Sequence, residues 1–117
     1  KIKNRAEAIN LVVRRVVEKA KGRYRVEVEV EDFLQAQAGF LAGADIIMFD
    51  NADVKELQRF INLLGKKRRA IVIEWSGNVD LKSMERIKKL PVDRVSVGSL
   101  THSANALDFS LIVGVRS

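Results

Sequence analysis

The 117-residue chain contains no cysteine and only one histidine, one proline and one tryptophan. Without cysteine it forms neither a disulfide framework nor a thiolate metal site, and nothing in it points to a redox compartment. A single histidine, His102, excludes a histidine-rich metal cluster. Aromatic residues make up 6% of the chain, too few to interleave with basic residues as base-stacking platforms do. No apolar run approaches the length of a membrane span, and the first residues lack the apolar stretch of a secretory leader, so a cytoplasmic protein with no membrane partner is expected.

What is present reads as a globular domain. Hydrophobic residues make up 47% of the chain at a mean hydropathy of -0.05, and the length suits one domain with a single core. The expectation is one α/β domain over residues 1–117. The net charge of +6 and pI of about 9.9 favour anionic partners. Basic residues gather at Lys1, Lys3, Arg5, Arg14, Arg15, Lys19, Lys21 and Arg23, and again at Lys66, Lys67, Arg68 and Arg69. Such runs are commonly solvated surface, so nucleic acid is the least expected partner.

Periodicity sets the order of elements. Residues 4–21 read as a helix capped by Asn4, with Ala6, Ile9, Val13, Val16 and Ala20 in one stripe, widened by Val12 and Val17, and Gly22 past the end. The stretch RVEVEVED alternates as a strand, Val26, Val28 and Val30 facing one way and Glu27, Glu29 and Glu31 the other. A helix from about Asp32 is expected to bury Phe33, Leu34, Ala38 and Leu41. The apolar strand IIMFDN then ends in Asp50 and Asn51. Asp53, with Glu56 as a capping box, opens a helix that buries Leu57, Phe60, Ile61 and Leu64 and stops at Gly65. The strand AIVIEW carries Glu74 inside an apolar run, where a carboxylate needs a partner. A helix from Asp80 with Leu81, Met84, Ile87 and Leu90 inward is stopped by Pro91, the strand DRVSVGS follows, a short helical turn runs from Ser103 to Ala106, and LDFSLIVGV closes the chain as a strand or arm.

Strands recur about every 22 to 25 residues, the rhythm of βαβ units with right-handed crossovers. The expected fold is α/β, with a mainly parallel sheet of four or five strands and crossover helices. It is either part of a TIM-like barrel or a flavodoxin-like doubly wound sheet. Both place ligands at the carboxyl ends of the strands, where the polar candidates Glu29, Asp50, Glu74, Ser76, Asn78, Ser96 and Gly98 fall.

Two corners stand out among these. AIVIEWSGNVD and RVSVGSLTHSA each end a strand in small residues and glycine before a helix start, with Thr101 or Ser103 as cap in the second. Small side chains and free backbone amides suit a phosphate, and neighbouring corners would form one anion pocket. The alternative is a pair of ordinary strand-to-helix turns.

EVEVE, IIMFDN, IEWSGN and SVGSLTHSANALDFSL, in this order and spacing, resemble the carboxyl-terminal half of the quinolinate phosphoribosyltransferases, also called carboxylating nicotinate-nucleotide pyrophosphorylases. The resemblance runs from Val26 onward. It implies a glycosyltransferase of NAD biosynthesis that makes nicotinate mononucleotide from quinolinate and phosphoribosyl pyrophosphate, releasing carbon dioxide and pyrophosphate, with Mg2+ as cofactor. By the same resemblance, Glu29 and Asp50 lie near the ribose hydroxyls and the metal. Ser76, Gly77 and Asn78 form a first phosphate loop, and Val97, Gly98 and Ser99 a second. The partners implied are phosphoribosyl pyrophosphate or phosphate, quinolinate, and a second subunit in a homo-oligomer.

The chain also departs from the family pattern. It lacks the KDNH strand end with its lysine, the arginine-rich quinolinate site and the amino-terminal domain, so no catalytic residue is assigned, and Lys1 and Lys3 do not inherit the lysine's role. Trp75 stands where a small residue is usual and is expected to crowd the site. Asn78 replaces a common glycine. The expectation is a phosphate-binding fragment with little turnover of its own. The competing readings are a structural or engineered α/β unit without a ligand and a basic nucleic-acid-binding module.

Overall fold

The computed structural model describes residues 3–78 and 80–97. Its elements are α1 (Arg5–Ala20), β1 (Glu27–Val30), α2 (Phe33–Leu41), β2 (Ile46–Asp50), α3 (Val54–Leu64), a 3-10 turn (Gly65–Ala70), β3 (Val72–Gly77), α4 (Leu81–Ile87) and β4 (Arg94–Val97). The strands pair in parallel in the order β1-β2-β3-β4. A doubly wound sheet needs that order to reverse at a switch point. The described strands instead follow one another in a single direction, as in a segment of a barrel. The anticipated closing strand LDFSLIVGV and the turn Ser103–Ala106 lie outside the described residues, as does His102. Among the described residues, no helix is long and apolar enough to cross a membrane.

Side-chain caps start the helices. Asn4 accepts the Glu7 N–H at 2.9 Å, Asp32 that of Gln35 at 2.9 Å, Asp53 that of Lys55 at 2.9 Å and Asp80 that of Ser83 at 2.7 Å. The capping box does not close as expected. The Glu56 carboxylate accepts the Phe33 N–H at 2.8 Å, so it caps α2, while Arg59 pairs with it at 3.2 Å and lies over the Phe33 ring at 4.4 Å.

The sheet has two unlike faces. Val28, Ile47 and Ile73 lie in register on one, as do Val30, Phe49, Trp75 and Val95. That face meets the helices: the Phe49 and Phe60 ring centroids are 5.7 Å apart, and Phe60 meets Phe40 edge-on at 6.2 Å. A Cβ on Gly39 would lie 2.7 Å from Val28 Cγ1 and 3.0 Å from Ile47 Cδ1, so α2 approaches the sheet through small residues, with Ala36, Gly39 and Ala42 buried. This close approach turns Leu34 and Leu41 outward, 60% and 67% exposed, against the expectation that they are core.

The same correction applies at the flanks. Val12 and Val16 of α1 are exposed because only Val13 and Ala20 are buried, with Ile9 and Val17 packed beside them. Leu81, 86% exposed, stands on the first turn of α4, whose buried residue is Ile87.

The amino-terminal edge of the sheet is fixed by carboxylates. Asp45 accepts the Val26 N–H and Asp93 the Ile73 N–H, each at 2.7 Å. Arg68 then ties the edge together by donating to Pro91 O at 2.7 Å, Ile71 O at 2.9 Å and Asp93 Oδ2 at 2.8 Å. Arg68 is therefore a structural clamp, which removes it from the basic run as a free cation.

Candidate functional site

The second sheet face carries the polar residues. Glu29, Met48, Glu74 and Arg94 align across the four strands, and toward the carboxyl rim Asp50, Ser76 and Ser96 form the next row. Glu27 lies a step toward the opposite rim, in register with Ile46. Strand alternation alone puts four carboxylates and one guanidinium on this face.

Glu74, 5% exposed, is the buried carboxylate that the sequence required to be paired, and Arg94 Nη1 donates to its Oε1 at 2.5 Å. The pair also bears on Glu27, whose carboxyl is pushed above the ordinary range first by burial and then by the Glu74 charge, with Arg94 acting in the other direction.

At the rim, the Glu29 and Asp50 carboxyl groups are within hydrogen-bonding reach of each other. Glu29 is held above the ordinary carboxylate range by that hydrogen bond first, then by burial and by the charges of Asp50, Glu27 and Glu31. Two carboxyl groups this close share a proton or gather a cation. Asp50 does not cap a helix, since Asp53 does. Glu31, expected on the same strand face as Glu29, lies just past β1 and pairs with Arg5 of α1 at 2.5 Å in an exposed contact.

The first corner follows directly. Ser76 is level with Asp50 and Ser96, and Gly77 is level with Val97. Asn51, in the left-handed region at φ 49, donates its N–H to Ser76 O at 2.8 Å and accepts the Asn78 N–H on Oδ1 at 3.3 Å. A Cβ on Gly77 would stand 2.7 Å from Asn51 Oδ1 and 3.0 Å from Trp75 Cη2, so only glycine fits there without displacement. The Asn78 amide is thus engaged by Asn51 rather than free.

Trp75 does not crowd the polar face. Its strand register points it to the helix side, where it is 3% exposed and its Nε1 finds no hydrogen-bond partner among the described residues.

The structure therefore brings Glu29, Asp50, Ser76, Gly77, Asn78 and Val97 to one rim, with β3 and β4 adjacent. Gly98 and Ser99, the rest of the second corner, lie outside the described residues. Two residues escape the sequence pattern. Asn51 was legible only as an asparagine directly after a strand-ending aspartate, a residue type that tolerates a left-handed turn. Arg94 was legible from its alternation with Val95 and Val97, which puts it on the face of Glu74.

A one-directional parallel sheet with crossover helices defines a barrel-type α/β protein, and the acidic residues and the glycine corner lie at the carboxyl rim of that sheet. The quinolinate phosphoribosyl transferase C-terminal domain family matches residues 2–112, and the chain belongs to this family. Over 88 residues it is 39% identical to a probable carboxylating nicotinate-nucleotide pyrophosphorylase of Bacillus subtilis, covering 75% of this chain and 29% of the relative. Over 106 residues it is 32% identical to the human carboxylating nicotinate-nucleotide pyrophosphorylase, covering 91% and 36%. The crystal structure of NadC from Streptococcus pyogenes superposes with a TM-score of 0.64 at 37% identity, over 92% of this chain and 37% of that one. The chain spans about a third of the length of these relatives.

Proposed function

We propose that this chain supplies the phosphoribosyl-pyrophosphate side of an enzyme that transfers a phosphoribosyl group to quinolinate, giving nicotinate mononucleotide, carbon dioxide and pyrophosphate. The observation that carries the reading is the shared rim: the Ser76–Gly77–Asn78 corner lies beside Val97 of β4 and in register with Asp50 of β2. Phosphate oxygens would sit at the corner, which Ser76 and Ser96 flank with hydroxyls. The ribose hydroxyls would face Glu29 and Asp50. As pyrophosphate leaves, positive charge grows at the anomeric carbon, and a fixed carboxylate favours that state over the neutral sugar.

Among the described residues no group of three or more ligating side chains could hold a metal ion. Magnesium nevertheless fits Glu29 and Asp50, because this ion is commonly held by one or two carboxylates and completed by substrate oxygens. It would offset charge on the pyrophosphate. Quinolinate enters the proposal through the family, and a partner subunit through the sequence resemblance. The unpaired outer edges of β1 and β4, among the described strands, leave room for more strands.

The test is thermal unfolding of the 117-residue chain with phosphoribosyl pyrophosphate and Mg2+, and with orthophosphate. At ten times Kd, stabilisation of about 1.4 kcal/mol, or about 5 °C, is expected. Ser76→Asp, which sets a carboxylate facing the anion, should abolish it. A flat series for the unaltered chain overturns the reading.

A further inference from the structure

We infer that Asn51 is a positioning residue that couples the two halves of this site, the phosphate corner and the Glu29–Asp50 pair. The inference rests on the phosphate reading of the corner. Asn51 directly follows Asp50, the last residue of β2, which lies in register with Ser76 of the corner. The Asn51 N–H donates to Ser76 O at 2.8 Å, and its carboxamide accepts from Asn78 N at 3.3 Å. One residue of β2's exit thus grips the β3 corner at both ends, with Gly77 held between Asn51 Oδ1 and the Trp75 ring. The left-handed φ of 49 is what lets a single residue make both contacts, since an extended backbone would carry the chain past the corner.

The carboxamide also has a second use. In the ligand-free chain it satisfies the Asn78 amide, which an anion would claim. When a phosphate oxygen takes that N–H, the carboxamide is released and presents its Nδ2 donors to the same anion. An aspartate in its place keeps the acceptor for Asn78 but supplies a charge and no donor. A glycine accepts the left-handed backbone and removes the side chain.

Orthophosphate titrations followed by amide NMR and calorimetry on the full chain test this. In the unaltered chain, the amides of Ser76, Gly77 and Asn78 and that of Asp50 should move along one binding curve. Asn51→Gly is expected to raise Kd about fivefold and to silence the Asp50 response. Asn51→Asp should raise Kd more than tenfold while the unfolding midpoint stays near that of the parent. If both variants bind with the parental Kd and the Asp50 amide still responds, the coupling role of Asn51 is refuted and the phosphate corner stands. If the unaltered chain shows no response at all, the phosphate reading itself falls.

Discussion

Arg94→Leu tests the polar face most directly. It removes the guanidinium that donates to Glu74 at 2.5 Å and leaves a carboxylate that is 5% exposed without its cation. Breaking a buried pair from one side costs about 3 to 5 kcal/mol. The Arg94 side chain keeps 22% exposure, so water reaches the vacated space and the lower end, about 3 kcal/mol, applies. For a domain of this size that lowers the unfolding midpoint by about 12 °C. Urea denaturation read by circular dichroism measures it, with an unchanged m-value required for the comparison. Glu27 should also move further up, because Arg94 now lowers it. The control is Glu74→Met with Arg94→Leu, which removes both charges and should recover most of the loss, since apolar replacement of a whole buried pair is often neutral. A loss below about 1 kcal/mol for the single variant, or no recovery in the double, refutes the claim that Glu74 depends on Arg94.

The remaining predictions concern the rim and the opposite edge. Glu29 is held above its ordinary value of 4.5, so its contribution to stability is complete below that pH and is lost as pH rises through its folded value. Glu29→Gln should therefore gain on the parent as pH rises over that window in thermal melts, and a difference that does not change with pH contradicts the raised Glu29 carboxyl. Arg68→Met removes the donor to Pro91 O, Ile71 O and Asp93 Oδ2 and should cost about 2 to 3 kcal/mol in urea melts without altering phosphate affinity. A cost under about 0.5 kcal/mol would mean the clamp is incidental.

The features set by local chemistry were readable from the residues. Asn4, Asp32, Asp53 and Asp80 cap where side-chain oxygens precede helical periodicity, and the valine and glutamate alternation of β1 separates its two faces. What was not readable depends on distance between elements. Leu34 and Leu41 look like core on a helical wheel, yet Gly39 brings α2 so close to Val28 that the small residues face the sheet. Glu56 has capping-box spacing but reaches α2 instead, because α3 lies beside it in space. At the site, Asp50 and the corner were found from their place at strand ends. The reach of Asn51 to Ser76 and Asn78, by contrast, requires knowing that β2 and β3 are neighbours. Which way Trp75 faces follows from counting along β3 from Glu74, a step that places its ring away from the polar rim.

The Glu56 contact makes two helices answer for one another. Its carboxylate belongs to α3 but secures the first turn of α2, at Phe33. Breathing of α3 therefore unlatches the start of α2, and the two turns that follow the strands of the rim acids, after β1 and after β2, loosen together. The turns beyond Glu29 and Asp50 then share a fate in time, and a ligand that bridges the two acids would quiet both helices at once.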